Sequence, residues 1–249
     1  MGFTTVAAAM ASVGAVAKLP AGLGEKLDDH AIIQRYERGD KLYMQGESAN
    51  EIMLVTAGRA KVTVASNNGR EVLVQVVGPS SLIGECALIA GADRASSAYA
   101  LSRNVEVAAI DQRALAQLIK DEPAFNSFLL EAVAKKVQVA EFRQLELATD
   151  DVQGRVIRRI LELADMVGYE RDGHLHITSP LTQQELAEWA GVSRQAVVKE
   201  LKMLREEGVL ESKGKSFVLI DPQALAERAA KFAAILGPPH RRASFGASP

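Results

Sequence analysis

The sequence holds little of what metal, redox or membrane chemistry needs. Cysteine occurs once, at Cys86, so no internal disulfide can form and no cysteine cluster exists for zinc or an iron–sulfur centre. A lone thiol fits a reducing, cytoplasmic compartment. Histidine occurs four times, and none lies between Ile32 and Ile110, so the β-rich half lacks the histidine cluster of a metal-holding barrel enzyme. The alanine-rich apolar stretch at residues 6–16 falls short of the roughly 20 residues a membrane span requires. Its first basic neighbour, Lys18, follows it, whereas a secretion signal carries its positive charge in front; we read the stretch as a short extra helix or a frayed end. Charge of one sign is also scarce. Twenty-nine Lys+Arg against 31 Asp+Glu leave a net charge of -2, which excludes a uniformly basic nucleic-acid coat but not a local basic patch. No candidate nucleophile–base pair supports an enzyme.

What is present is ordinary globular material, 48% hydrophobic and 24% charged over 249 residues, enough for one large or two ordinary domains. Between residues 32 and 110, short β-type runs at 52–55, 60–65, 72–77 and 105–110 alternate with turn signals at Gly39-Asp40, Gly46, Gly58, Asn67-Asn68-Gly69 and Gly78-Pro79. Such punctuation predicts a small antiparallel barrel or sandwich, with Asn68-Gly69 closing a hairpin.

Beyond Asp111 the pattern turns helical. Residues 114–119 read as a short helix, and Asp121-Glu122-Pro123 opens a much longer one. Leu129, Val133, Val137, Ala140, Gln144 and Leu147 follow at spacings of 4, 4, 3, 4 and 3, close to a heptad seam. A seam of that length needs a partner, either the barrel or, better, an identical helix across a two-fold axis. Thr149-Asp150-Asp151 then reads as a hinge and cap before a helix at 152–167, and the Asp172-Gly173 turn precedes an alternating strand at 174–178.

Residues 181–202 read LTQQELAEWAGVSRQAVVKELK. Thr182 with Glu185 forms a capping box. Small Ala187 and flexible Gly191, four residues apart, permit the close crossing of a helix-turn-helix, and Val192, Val197 and Leu201 mark the inner face of its second helix. Glycine- and lysine-rich turns with a hydrophobic run at 217–220 add a hairpin wing. The second helix exposes Arg194, Gln195, Lys199 and Lys202. Arginine can grip a guanine edge and glutamine an adenine edge, each good pair discriminating by about 1–3 kcal/mol. Ser193 and the first amides of the helix suit a phosphate, as do Lys213 and Lys215 in the wing. Any one of these charges alone would be an ordinary solvated residue; together on one stripe they mark a DNA-binding face.

One segment breaks the strand pattern, residues 83–100, IGECALIAGADRASSAYA. A glycine-opened helical turn presents backbone N–H groups to an anion, and Arg94 adds a bidentate charge. Glu85, nine residues before it, can accept from a sugar hydroxyl. Spacing alone leaves a buried Glu85–Arg94 ion pair as an equal alternative.

The segment resembles the phosphate-binding cassette of cyclic-nucleotide-binding domains, closest to that of the cAMP-dependent kinase regulatory subunit. Gly84, Glu85, Ala87, Leu88, Arg94, Ala95, Ser97 and Ala100 fall in register, and Leu42-Tyr43, Gly46-Glu47, Gly69-Arg70-Glu71 and Gly78-Pro79 match the β-roll of that domain. With a long helix and a winged helix-turn-helix behind it, the stretch 19–230 resembles the cAMP receptor protein (CRP/FNR) family of bacterial regulators.

The resemblance implies an α+β chain. Residues 1–18 form an alanine-rich extension, 19–120 an antiparallel β-roll, 121–149 a dimerisation helix, 150–230 a winged helix-turn-helix and 231–249 a disordered tail. It implies a cyclic nucleotide, cAMP before cGMP, as allosteric ligand, no metal, and as partners a second copy of the chain, palindromic double-stranded DNA and RNA polymerase. Glu85 would hold the ribose 2′-hydroxyl and Arg94 the cyclic phosphate, with the amides of Gly84, Ala95 and Ser96. Lys136 stands where a family arginine reaches the ribose-binding glutamate. Ser193, Arg194 and Lys199 fall on DNA-contacting positions, Lys215 on a wing lysine, and Thr182 belongs to the same face.

There are departures. Ala140-Glu141 replaces a Thr-Ser pair that reads adenine, leaving Gln75 and Glu141 as candidates for the base. Ala95 replaces a serine, which removes one hydroxyl from the phosphate. Gln195 replaces a glutamate, so the operator should differ. Cys86, within the cassette, is expected to be a small buried hydrophobe of the binding segment.

Overall fold

The computed structural model describes residues 5–7, 19–20 and 22–230. Most of the alanine-rich extension and the tail from 231 therefore lie outside the described residues. Val6 is buried, and its backbone N–H donates to the carboxylate of Asp28.

After a short helix α1 (Leu23–Asp28), eight strands form two four-stranded antiparallel sheets. They are β1 (Ile32–Glu37), β2 (Lys41–Tyr43), β3 (Glu51–Ala57), β4 (Ala60–Ala65), β5 (Glu71–Val77), β6 (Leu82–Ile83), β7 (Ser97–Ala100) and β8 (Asn104–Asp111). One sheet has the order β1-β8-β3-β6 and the other β2-β7-β4-β5. Helix α2 (Glu85–Ala90) separates β6 from β7. The uninterrupted apolar run in β3 has a simple cause. Met53 and Val55 face one cluster with Tyr43, Val62, Ala98 and Val107, while Ile52 and Leu54 face a second with Leu27, Leu118, Phe125 and Leu129. A strand covered on both faces loses the polar alternation of a half-exposed one.

Helix α3 (Gln112–Asp121) is capped by Asp111, whose side chain accepts from the Ala114 N–H at 2.8 Å. Such a cap contributes about 1 kcal/mol. The long helix α4 follows, Pro123–Thr149. Its first turns bury Phe125, Phe128 and Leu129 against the roll, so the barrel is the partner of the seam where the seam begins. Farther on Leu130, Val137 and Leu147 are 72%, 51% and 63% exposed, and Ala140 and Gln144 face solvent.

The chain divides into two compact units, Met1–Lys136 and Val137–Pro249. The second holds α5 (Val152–Val167), β9 (Gly168–Arg171), β10 (His174–Thr178), α6 (Gln183–Ala190), α7 (Arg194–Glu206), β11 (Leu210–Lys213), β12 (Ser216–Leu219) and α8 (Pro222–Ala230). Asp151 caps α5 by accepting from the Gly154 N–H at 2.7 Å. The wing strands β11 and β12 join the first hairpin in one sheet ordered β11-β12-β10-β9, a merger that the turn signals did not announce. Helix α8 was also unannounced; Asp221 caps it, accepting from the Ala224 N–H at 2.9 Å. Val192 precedes α7 and is only half-buried, so the inner face of that helix is Val197, Leu201 and Leu204.

Candidate functional site

The cassette is built on one backbone requirement. At the end of β6, Gly84 adopts φ +80° and leads into α2. A Cβ there would lie 2.2 Å from Nη1 of Arg94, so glycine both allows the left-handed turn and leaves room for the guanidinium. Ala87 and Leu88 anchor α2 in the roll, and the same face buries Glu85 completely, at 0% exposure. Its Oε1 accepts from Lys136 Nζ at 2.6 Å and from Cys86 Sγ at 3.2 Å. Its Oε2, equally buried, has no hydrogen-bond partner among the described residues. A desolvated carboxylate oxygen without a donor is costly, on the order of 1–3 kcal/mol or more for a charged group.

Arg94 is 5% exposed and has no carboxylate partner among the described residues. It donates from Nη1 to the Gly84 carbonyl at 2.8 Å and from Nη2 to the Glu51 carbonyl at 2.6 Å. Its guanidinium lies 4.5 Å from the centre of the Tyr43 ring. Of five N–H donors, three remain. The backbone on either side is clamped, since Arg94 N–H donates to the Glu47 carbonyl and Gly46 N–H to the Arg94 carbonyl, both at 2.8 Å. Ala95 is exposed and Ser96 half-buried just after it. The Glu85–Arg94 ion pair that spacing had left open does not form.

The structure thus brings Gly84, Glu85, Arg94 and Lys136 together within the first unit. Cys86 requires a correction: it is exposed, because α2 turns positions 85, 87 and 88 inward and position 86 outward. Partial desolvation and the adjacent Glu85 carboxylate push its thiol pKa up, despite the opposing charge of Lys136. Gln75 is half-buried on β5 opposite Val62, and its side-chain amide makes no hydrogen bond among the described residues. Ala140 and Glu141 belong to the second unit, exposed on α4.

In the second unit α6 starts with a complete capping box. Thr182 Oγ1 accepts from the Glu185 N–H at 3.2 Å, and Glu185 Oε2 accepts from the Thr182 N–H at 2.8 Å. Gly191 (φ +65°) ends α6, and Ser193 caps α7, accepting from the Ala196 N–H at 3.1 Å. Arg194, Gln195, Lys199 and Lys202 all face solvent on α7, while Val197, Glu200, Leu201 and Leu204 face inward. Lys202 pairs with Glu206 at 3.6 Å. Lys213 and Lys215 are exposed around the Gly214 turn of the wing.

Sequence reasoning missed a buried ion cluster in this unit. Arg159, 1% exposed, bonds Glu146 and lies 2.9 Å from Glu162. Arg158 pairs with Asp150 at 2.6 Å and donates to the Ala229 carbonyl at 2.8 Å. Arg143 bridges Glu146 at 3.2 Å and Glu162 at 2.7 Å. Both Arg143 and Arg159 lie over Trp189 of α6, at 5.4 and 5.3 Å. The available signal was Arg158-Arg159 set among the apolar residues of α5. Burial pushes the Glu146 carboxyl up to about 7; Glu162 and Asp150 add to the rise, and Arg143 and Arg158 oppose it. Glu200 is also raised, chiefly by burial, against the hydrogen bond it accepts from Gln153 Nε2 at 2.9 Å.

Two family models match the chain, a cyclic nucleotide-binding domain over residues 33–122 and a Crp-like helix-turn-helix domain over residues 154–228. The CRP-like cAMP-activated global transcriptional regulator of Mycobacterium tuberculosis is 32% identical over 194 residues, covering 78% of this chain and 86% of that one. The chain belongs to the CRP/FNR family of transcriptional regulators. The cAMP-activated global transcriptional regulator CRP of Salmonella typhimurium is 28% identical over 193 residues, covering 76% of this regulator and 90% of its own length. A solved CRP-family transcriptional regulator from Thermus thermophilus superposes with a TM-score of 0.67 at 26% identity, over 79% of this chain and 96% of that one. This CRP/FNR protein is accordingly a cyclic-nucleotide-binding, DNA-binding regulator of transcription with an antiparallel roll, a long helix and a helix-turn-helix. Among the described residues no helix is long and apolar enough to cross a membrane, and no group of three or more His, Cys, Asp or Glu gathers for a metal.

Proposed function

We propose that the regulator is a homodimer whose affinity for a palindromic operator is set by cAMP, in preference to cGMP, held in the β-roll. One observation carries this reading. Within one cassette a fully buried carboxylate oxygen, Glu85 Oε2, has no donor, and a buried guanidinium, Arg94, has no anion among the described residues. The two groups are complementary to a ribose 2′-hydroxyl and a cyclic phosphodiester. Lys136 holds the second oxygen of Glu85, and the amides of Gly84, Ala95 and Ser96 add donors to the phosphate. Cys86 borders this end, and Gln75 is the candidate for the base within the same unit. The preference for cAMP rests on Ala95 at a cassette position typical of cAMP-type sites and on relatives described as cAMP-activated.

The exposed apolar residues Leu130, Val137 and Leu147 support pairing of α4 with its counterpart in a second copy. Adjacent major grooves on one face of DNA lie about 34 Å apart, so a single dimer arrangement fits a palindrome. Arg194 and Gln195 read bases, while Thr182, Ser193, Lys199 and Lys215 position the helix and wing on phosphates. A ligand that favours the fitting arrangement couples the two sites by ~1–3 kcal/mol, and DNA then tightens nucleotide binding by the same factor.

Calorimetric titration of the full chain with cAMP and cGMP tests the reading. The expected result is saturable binding, tighter for cAMP, that Arg94→Leu abolishes. No heat with either nucleotide would replace it with a family regulator that is ligand-independent or senses another signal, such as redox state, a gas or another metabolite.

A further inference from the structure

Arg94 is buried without a carboxylate among the described residues, so something other than an ion pair must hold its guanidinium in place. Two backbone carbonyls take one N–H each, which fixes one edge of the group. The face is fixed by Tyr43, a β2 residue 7% exposed, whose ring lies 4.5 Å from the guanidinium carbon. Such a stack favours the cation and blocks approach from that side, so an anion must reach Arg94 in its plane or on the opposite face.

The other end of Tyr43 is equally placed. Ser96 stands within hydrogen-bonding reach of its hydroxyl, and the charges of Arg94 and Glu85 both act on it. Burial raises its pKa, so the hydroxyl keeps its proton at neutral pH. Ser96 follows Ala95, the position at which this chain lacks a cassette hydroxyl. Tyr43 therefore lies against the guanidinium and beside the hydroxyl of Ser96; the other serine of the segment, Ser97, is engaged elsewhere, accepting from the Gln45 N–H at 2.9 Å. It is itself held where β2 pairs with β7, opposite Ala98.

We propose that Tyr43 is the positioning residue for the phosphate end of the pocket: its ring sets the plane of Arg94, and its hydroxyl aims Ser96 at the phosphate oxygen that Ala95 cannot reach. The inference rests on the cyclic-nucleotide reading above and adds a residue from outside the cassette.

The test uses full-length protein, titrated with cAMP and with its Rp and Sp phosphorothioates, in which sulfur replaces one or the other exocyclic oxygen. Tyr43→Phe keeps the stack and removes the hydroxyl. It should weaken cAMP by about three- to tenfold, in line with loss of one neutral hydrogen bond. It should also change the Rp/Sp affinity ratio by about threefold or more, because a single serine hydroxyl can donate to only one of the two exocyclic oxygens. Tyr43→Leu, which loses the stack as well, should weaken all three ligands by a further factor of about ten. An equal shift of all three ligands in Tyr43→Phe, or none, overturns the inference, since a merely structural tyrosine would leave the ratio untouched. Should Tyr43→Leu not fold, Tyr43→Phe decides alone. Absence of binding by the unmodified protein to all three ligands would instead overturn the cyclic-nucleotide reading, and this inference with it.

Discussion

Glu85 and Arg94, nine residues apart in one cassette, do not bond to each other; each is buried and keeps capacity for a third party. That relationship separates a ligand site from a structural ion pair. If Glu85 Oε2 awaits a ribose hydroxyl, 2′-deoxy-cAMP should bind the unmodified protein about 10- to 100-fold more weakly than cAMP. In Glu85→Ala the two nucleotides should bind alike. A 2′-deoxy penalty that survives the substitution would place the sugar elsewhere.

Gly84→Ala tests the turn that makes room for Arg94. A Cβ 2.2 Å from Nη1 must displace the guanidinium, and φ +80° adds about 1–2 kcal/mol of strain. Nucleotide affinity should fall far more than the melting temperature. The reverse order would mean that Arg94 moves without consequence for the ligand.

The β-roll was legible because its signals are local. Asn68-Gly69 marks one turn, Gly84 another, and the apolar run at residues 52–55 marks a strand buried on both faces. The capping box at Thr182 and the left-handed Gly191 were equally readable. Cys86 was misjudged because a six-residue helix can bury only one face, and its neighbours Glu85 and Ala87 take that face. The ion cluster escaped for another reason. Arg159 reads as a solvated charge until Glu146 of α4 and Trp189 of α6, far away in sequence, are brought onto it.

That cluster predicts a large effect from a single change. Arg159→Met removes a guanidinium shared by Glu146 and Glu162 and leaves two carboxylates buried without it. Breaking one side of such a buried network costs about 3–5 kcal/mol. Denaturant unfolding of the second unit should show that loss, while nucleotide affinity measured below the transition stays unchanged.

The pH dependence has a definite sign. Folded Glu146 keeps its proton up to about 7, whereas its ordinary value is 4.5. Across that window the folded state holds more protons than the unfolded one, so this contribution is present below 4.5 and is lost as pH rises through about 7. Glu200, also raised, acts in the same direction. Thermal melts should therefore show stability falling from pH 5 to 8. Glu200→Gln, which can still accept from Gln153, should flatten part of that slope and raise the melting temperature at pH 8.

On the DNA face, Arg194→Ala should relax preference at one base position of a selected operator, costing about 1–3 kcal/mol there. Lys215→Ala should weaken all sequences alike and lower the salt slope by about one. A uniform loss with Arg194→Ala would assign that side chain to the phosphate backbone.

Trp189 is the one tryptophan in the sequence, and it lies buried with two guanidiniums from different helices over its ring. Its indole emission therefore reports on the contact of α4 and α5 with the first helix of the DNA reader, and on no other place in the molecule. An engaged ligand that alters this contact would be visible as a change in intrinsic fluorescence, with no label attached and in the unmodified protein.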